Sequence, residues 1–280
     1  MSAYRQIVVS PIAEALGAEV RGLDLKSAKK AVWDEVRTAF LDRLVLFFPD
    51  QDLTASEMAS VGTQFGELTY YPFIEGLPEE PYIIPIIKEA DELKNFGEGW
   101  HSDTTYAERP PMATGLYSIE VPRTGGDTMF ANMYLAYQAL SEGMKDLLAP
   151  LSALNSTAER KDGGRASGNS YKSVQLINRD QDFESIHPVV RTHPETGRKA
   201  LYVNALHTTR FVDWSWSESK SVLEFLYQHK CRPEFTCRYS WLPHTFAIWD
   251  NRAAQHFALN DYFGERREML RLSIAGEVPV

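Results

Sequence analysis

A chain of 280 residues that is 44% hydrophobic and 24% charged has the balance of a folded globular protein, which excludes disorder. A formal net charge of −9 with no basic stripe excludes nucleic acid as the expected partner. No apolar run approaches the roughly 20 residues of a membrane helix, and MSAYRQIVVS has no charged segment leading into a long apolar one, so we expect a cytoplasmic chain without membrane attachment.

From the N-terminus, QIVVSPIAEALGAEVRGLDL reads as short strands separated by turns. Trp33, Val36, Phe40 and Leu44 recur at steps of three and four, which predicts an amphipathic helix, and LVLFF (44–48) follows as a buried strand. Thr54 and Glu57 form a T-x-x-E capping box whose helix continues through Met58, Val61 and Phe65. Strands are expected at YIIPI and ATGLYSI, and helices at 133–148 and 218–230. Residues 159–170 (ERKDGGRASGNS) are polar and glycine-rich, so a loop is expected there, with a lid over 159–176 as its functional reading.

HPVVRTHPETGRKALYVN has the grammar of a hairpin. FTCRYSW alternates, with Phe235, Cys237, Tyr239 and Trp241 on one face. Cys231 and Cys237 are the only cysteines, too few for a disulfide framework, and read as small apolar side chains. TFAIWD and MLRLSIAG complete the strands. Many short strands without βαβ alternation predict a single domain over 1–280, mainly β, as a barrel or jelly roll with helices outside.

Against that frame stands GEGWHSDTTY (97–106). Seven histidines and 38 acidic residues yield about one H-x-D or H-x-E match by chance, so the pair His101 and Asp103 is not decisive alone. The other match, His193-Pro-Glu195, lies in the hairpin turn and is explained by turn chemistry. On extended backbone, however, residues i and i+2 point to one side, so imidazole and carboxylate can converge on an ion. His256, just after the strand-like TFAIWD, offers a second imidazole, and two histidines with a carboxylate form the facial triad of non-haem iron oxygenases. A zinc hydrolase on the same ligands, or a metal-binding sensor that turns nothing over, are the competing readings; the first lacks an H-E-x-x-H base. In the last strand, Arg267, Met269, Arg271 and Ser273 share one parity opposite Leu270, Leu272 and Ile274, and buried arginines on that side would need an anion.

The stretches GAEVRGLDL, VLFFPDQDLT, QFGEL, WHSDTTY, RPP, GGDTMFANMYLAYQALS, HPVVRTHPETGRKALYVN, PEFTCRYSW, AIWDNRAAQHFALNDY and RREMLR occur in this order, and the chain so marked resembles the taurine dioxygenase family of Fe(II)/2-oxoglutarate-dependent dioxygenases. The resemblance implies a double-stranded β-helix (jelly roll) and a reaction in which O2, 2-oxoglutarate and a C–H bond of a small, anionic substrate give succinate, CO2 and a hydroxylated product. It implies His101, Asp103 and His256 as ligands of Fe(II), Thr128 and Arg267 as partners of the distal carboxylate of 2-oxoglutarate, and Arg271 as a partner of the substrate anion or an aid to the cosubstrate. It also implies a homo-oligomer, dimer or tetramer. Where such enzymes hold a sulfonate with a histidine after FGEL, this chain has Tyr70 and Tyr71, and where they carry an aromatic before TTR it has His207. Tyr71, Thr104, Tyr106, His207 and Arg271 are therefore the expected substrate pocket, for a carboxylate or sulfonate other than taurine, whereas Asn204 and Trp249 read as structural.

Overall fold

The computed structural model describes residues 4–158, 177–178 and 181–280; the expected lid at 159–176 lies outside them. The elements begin with β1 (Val8–Pro11), β2 (Ala18–Arg21), α1 (Lys30–Arg43), β3 (Val45–Phe48), α2 (Ala55–Thr63), β4 (Leu68–Thr69) and β5 (Ile84–Lys88). They continue through β6 (Ala113–Glu120), β7 (Thr128–Asn132), α3 (Met133–Gln138), α4 (Glu142–Leu148), β8 (Ser152–Ser156), β9 (Glu184–Pro188), β10 (Val190–Thr192) and β11 (Lys199–Leu201). The last are β12 (Thr208–Phe211), α5 (Trp216–His229), β13 (Thr236–Tyr239), β14 (Phe246–Asp250), β15 (Ala254–Ala258) and β16 (Arg267–Ile274).

One sheet runs β1-β2-β3-β14-β6-β16-β4, with β5 on another stretch of β16. Its strands β3 and β14 are buried on both faces, which is why LVLFF and TFAIWD read as unbroken apolar runs. On one face Leu46, Phe48, Ile248, Leu270 and Leu272 pack with Val36 and Phe40 of α1 and Met58 and Val61 of α2. On the other, Phe47, Leu116, Ala247, Trp249 and Met269 pack with Phe130 and Tyr239 of the sheet β13-β7-β15, the Phe47 and Tyr239 rings stacked at 3.7 Å. The result is the expected jelly roll with α1 and α2 outside it. The alternation along β16 has a consequence for the site, because Leu270, Leu272 and Ile274 belong to the helix side and Arg267 and Arg271 accompany Met269 to the interior.

The capping box at Thr54 and Glu57 forms with both of its hydrogen bonds, but the helix ends at Thr63, before Phe65. The helix expected over 133–148 is two helices, each with its own cap. The Asn132 side chain accepts from the backbone of Tyr134 and Leu135, and the Ser141 hydroxyl from Met144, so a local cap interrupts an apolar period that sequence alone carries through. The hairpin forms from β10 and β11, and the alternation of FTCRYSW holds, with Phe235, Cys237, Tyr239 and Trp241 all buried.

Candidate active site

His101 and His256 come from distant parts of the chain and face each other as a reciprocal backbone pair: each N–H donates to the other's carbonyl, at 3.0 and 2.9 Å. Opposed residues project to one side, and the ring centroids are 4.2 Å apart. Asp103 completes the set, with Oδ1 3.6 Å from His101 Nε2 and 3.9 Å from His256 Nε2. All three residues are buried, and their ligand atoms lie within 4.8 Å of one another.

Two of the three candidate ligands are held by a second contact. His101 Nδ1 hydrogen-bonds the Gly99 carbonyl at 2.8 Å, which leaves Nε2 for an ion. Gly99 sits at φ 97°, and a Cβ there would come within 3.0 Å of Leu206, so the glycine of the GEGW run is needed to aim that carbonyl. Asp103 Oδ2 accepts from the Thr114 hydroxyl at 2.6 Å, and that hydroxyl accepts from Asn251 Nδ2 at 2.8 Å. Asn251 Oδ1 in turn accepts from Trp249 Nε1. Oδ1 of Asp103 is thereby left facing the histidines. The next residue, Thr104, holds a left-handed backbone at φ 54°, uncommon for a β-branched residue and the kind of strain found where a site fixes its geometry.

The electrostatics suit a cation. Burial alone would raise the Asp103 carboxyl, but the Arg271 guanidinium and the two imidazoles overcome it and hold it well below the usual carboxylate range. Burial, reinforced by neighbouring His101, lowers His256 to about 3, so its imidazole is neutral with a lone pair to donate. Its Nδ1 is buried without a hydrogen-bond partner. Two imidazoles and one carboxylate, buried and convergent, fit a divalent transition metal.

Arg271 and Arg267 divide the interior face of β16. Arg271 Nη2 stands 3.1 Å from Asp103 Oδ1, an ion pair without hydrogen-bond alignment, so both terminal nitrogens keep unspent N–H groups. Its guanidinium lies 4.7 Å from the centre of the Tyr71 ring. Arg267 is four residues away along the strand, roughly 13 Å. It is 3% exposed, with Nε and Nη2 unpartnered. Its guanidinium lies 5.9 Å from the Trp241 ring, whose Nε1 donates to the Thr128 hydroxyl. Thr128 therefore has a structural partner and also stands at the Arg267 end.

Of the two tyrosines after FGEL, Tyr70 is 60% exposed and stacks on Tyr82, whereas Tyr71 turns toward Arg271. Tyr106 is buried, and burial together with Tyr71 raises its hydroxyl well above the ordinary value; it also hydrogen-bonds Thr104. The half-buried His207 ring meets Tyr106 edge-on at 4.9 Å and lies 6.2 Å from His101. The expected pocket residues thus gather beside the ligands. Asn204 is structural in a way that serves them. Its Oδ1 accepts from the backbone of Leu206 and His207, and its Nδ2 donates to Thr105, tying the His207 loop to the segment that carries Asp103 and Tyr106.

His193 is buried, its Nε2 bonded to Asp250 and its Nδ1 accepting from the backbone N–H groups of Glu195 and Thr196, which is the turn chemistry read for that stretch. Sequence reasoning missed Thr114 and Asn251. Both lie in strand-forming or matched stretches, but no local pattern announces a hydrogen bond between them.

The sequence profile described as "Taurine catabolism dioxygenase TauD, TfdA family" matches residues 9–273. An alpha-ketoglutarate-dependent sulfate ester dioxygenase of Pseudomonas putida is 32% identical, over 98% of this chain and 91% of its own. The crystal structure of a taurine dioxygenase from Burkholderia xenovorans superposes with a TM-score of 0.83 at 33% identity, covering 99% of this chain and 93% of that one. That of AAD-2 in complex with Mn(II) and N-oxalylglycine does so at 0.77 and 27%, covering 98% of each. A profile that takes in nearly every strand of the jelly roll, together with relatives alike over more than nine-tenths of their length, places this chain in the TauD/TfdA family as an Fe(II)- and 2-oxoglutarate-dependent dioxygenase.

Proposed function

We propose that His101, Asp103 and His256 hold the Fe(II), that Arg267 and Thr128 receive the distal carboxylate of 2-oxoglutarate, and that Arg271 receives the anionic group of a small organic substrate. The observation that carries this is the pair of buried arginines on one face of β16, one beside the ligands and one four residues away, each with unspent N–H groups. A buried guanidinium without a full set of acceptors is costly unless an anion arrives. N-oxalylglycine, present in the AAD-2 structure, has the two carboxylates and the 2-oxo group of 2-oxoglutarate, which favours the same division of labour here.

Bound iron and 2-oxoglutarate would supply the O2 activation and the oxidising power. The chain's own residues do the rest. Thr114 and Gly99 fix the ligands, while Tyr71, Thr104, Tyr106 and His207 shape the space beside Asp103 and limit water there. Arg271, packed on Tyr71, orients the substrate so that one C–H bond faces the metal. His207 brings a hydrogen-bonding ring where the resembling family places an aromatic side chain, so the favoured substrate is a carboxylate or sulfonate with a further polar group, distinct from taurine. The sulfate ester dioxygenase among the relatives supports an oxyanion at that end.

The test is a panel of small sulfonates, sulfate esters, carboxylates and amino-acid derivatives, read by O2 uptake and succinate release with Fe(II), ascorbate and 2-oxoglutarate. Anionic members should stimulate both, and their neutral amides or alcohols should not. Stimulation by the neutral analogues equal to that by the anions would overturn the role of Arg271.

A further inference from the structure

A second cation stands beside Arg267. Lys88, the last residue of β5, is its direct register partner across the β5/β16 pair. Directly opposed residues project to the same side of a sheet, so the two side chains enter the same space. Both are 3% exposed. Lys88 Nζ has no hydrogen-bond partner, nor do Nε and Nη2 of Arg267, and neither residue forms an ion pair among the described residues.

Tyr262 links the two. Lys88 Nζ lies 4.3 Å from the centre of its ring, the charge of Arg267 acts on its hydroxyl, and that hydroxyl donates to Asn95. The carboxylates near this tyrosine, Glu92, Glu98 and Asp261, leave Lys88 without an ion pair. From Arg267 the contacts pass through Trp241 to Thr128. Two buried like charges, opposed across a strand pair with donors unspent, repel each other and forgo hydration. The arrangement becomes favourable when an anion joins them.

We propose that Lys88 is a second cationic anchor for the distal carboxylate of 2-oxoglutarate, acting beside Arg267. This rests on the reading of Arg267 as that carboxylate's partner. A purely structural Lys88 would do no more than cap the Tyr262 ring. The two roles differ in one respect: only an anchor distinguishes cosubstrates by the far carboxylate.

Calorimetric titration of the full chain loaded with redox-silent Mn(II) separates them. The ligands are 2-oxoglutarate and 2-oxopentanoate, in which a methyl group replaces the distal carboxylate. Lys88→Met should raise the Kd for 2-oxoglutarate about tenfold and leave that for 2-oxopentanoate within about twofold, with Lys88→Arg recovering most of the loss. Equal effects on both ligands, or none on either, would overturn the anchor. Should Lys88→Met not fold, Lys88→Gln is judged by the same comparison. Arg267→Met is the control for the underlying reading: if it binds 2-oxoglutarate like the unaltered chain, the reading of Arg267 fails, whereas a selective loss there with none at Lys88 rejects Lys88 alone.

Discussion

Thr114→Val removes one hydroxyl and little else, because the two side chains are nearly the same size. The hydroxyl is fully buried, donates to Asp103 Oδ2 at 2.6 Å and accepts from Asn251 Nδ2 at 2.8 Å. The first of these is a bond to a charged group, worth about 1.5–3 kcal/mol. Without it the carboxylate is free to turn, so Oδ1 no longer faces the histidines at a fixed angle. Loss of such a supporting contact typically weakens metal affinity by about 10–100-fold, or about 1.4–2.8 kcal/mol, in line with the bond itself. The valine also leaves Asn251 Nδ2 buried without an acceptor, at about 1–3 kcal/mol of stability. Fe(II) affinity is measured anaerobically by competition with a chelator, and stability by urea unfolding of the metal-free protein. Thr114→Ser should restore most of both. An iron affinity for Thr114→Val within twofold of the unaltered chain would refute the reasoning, since Asp103 would then be oriented by something other than this hydroxyl.

His207→Phe should change which substrates stimulate O2 uptake while substrate-free turnover of 2-oxoglutarate persists; loss of both activities would show that His207 supports the metal site rather than the pocket. Asp250→Ala should cost about 3–5 kcal/mol in urea unfolding, because it strips the buried Arg252 and His193 of a shared carboxylate and leaves Arg252 only Glu195; a loss under 1 kcal/mol would mean that Glu195 suffices. Burial lowers Lys230 to about 7 from 10.5, so between those values the unfolded chain binds more protons than the folded one and stability rises with pH. The stability of the unaltered chain relative to Lys230→Met should therefore improve from pH 7 to pH 10, by up to about 4 kcal/mol over those three units at 1.36 kcal/mol per unit; a difference flat across that range would contradict it.

The parts of the site that sequence disclosed are those set by local periodicity. His101 and Asp103 lie two apart, and the alternation of β16 assigns Arg267 and Arg271 to one side whatever the sheet packs against. His256 was offered as the second imidazole by its place after the strand-like TFAIWD, and the resemblance then implied it as a ligand. What stayed hidden depends on register between segments far apart in the chain. Thr114 meets Asp103 and Asn251 because β6 pairs with β14 and carries the threonine to the sheet's interior end. In sequence it is one hydroxyl in ATGLYSI. Tyr70 and Tyr71 are chemically alike and adjacent, and only the turn of the chain after β4 sends one to solvent and the other to Arg271. Lys88 lies two residues past YIIPI, and nothing in the sequence announces its pairing with Arg267. The break between α3 and α4 was missed for the opposite reason, since a serine cap competes locally with an apolar period that continues through it. The same dependence explains why the two histidines can be held so closely. Their mutual backbone bonds make the imidazole spacing a property of one isolated backbone bridge, so a slip of one residue there would turn an imidazole out of the interior.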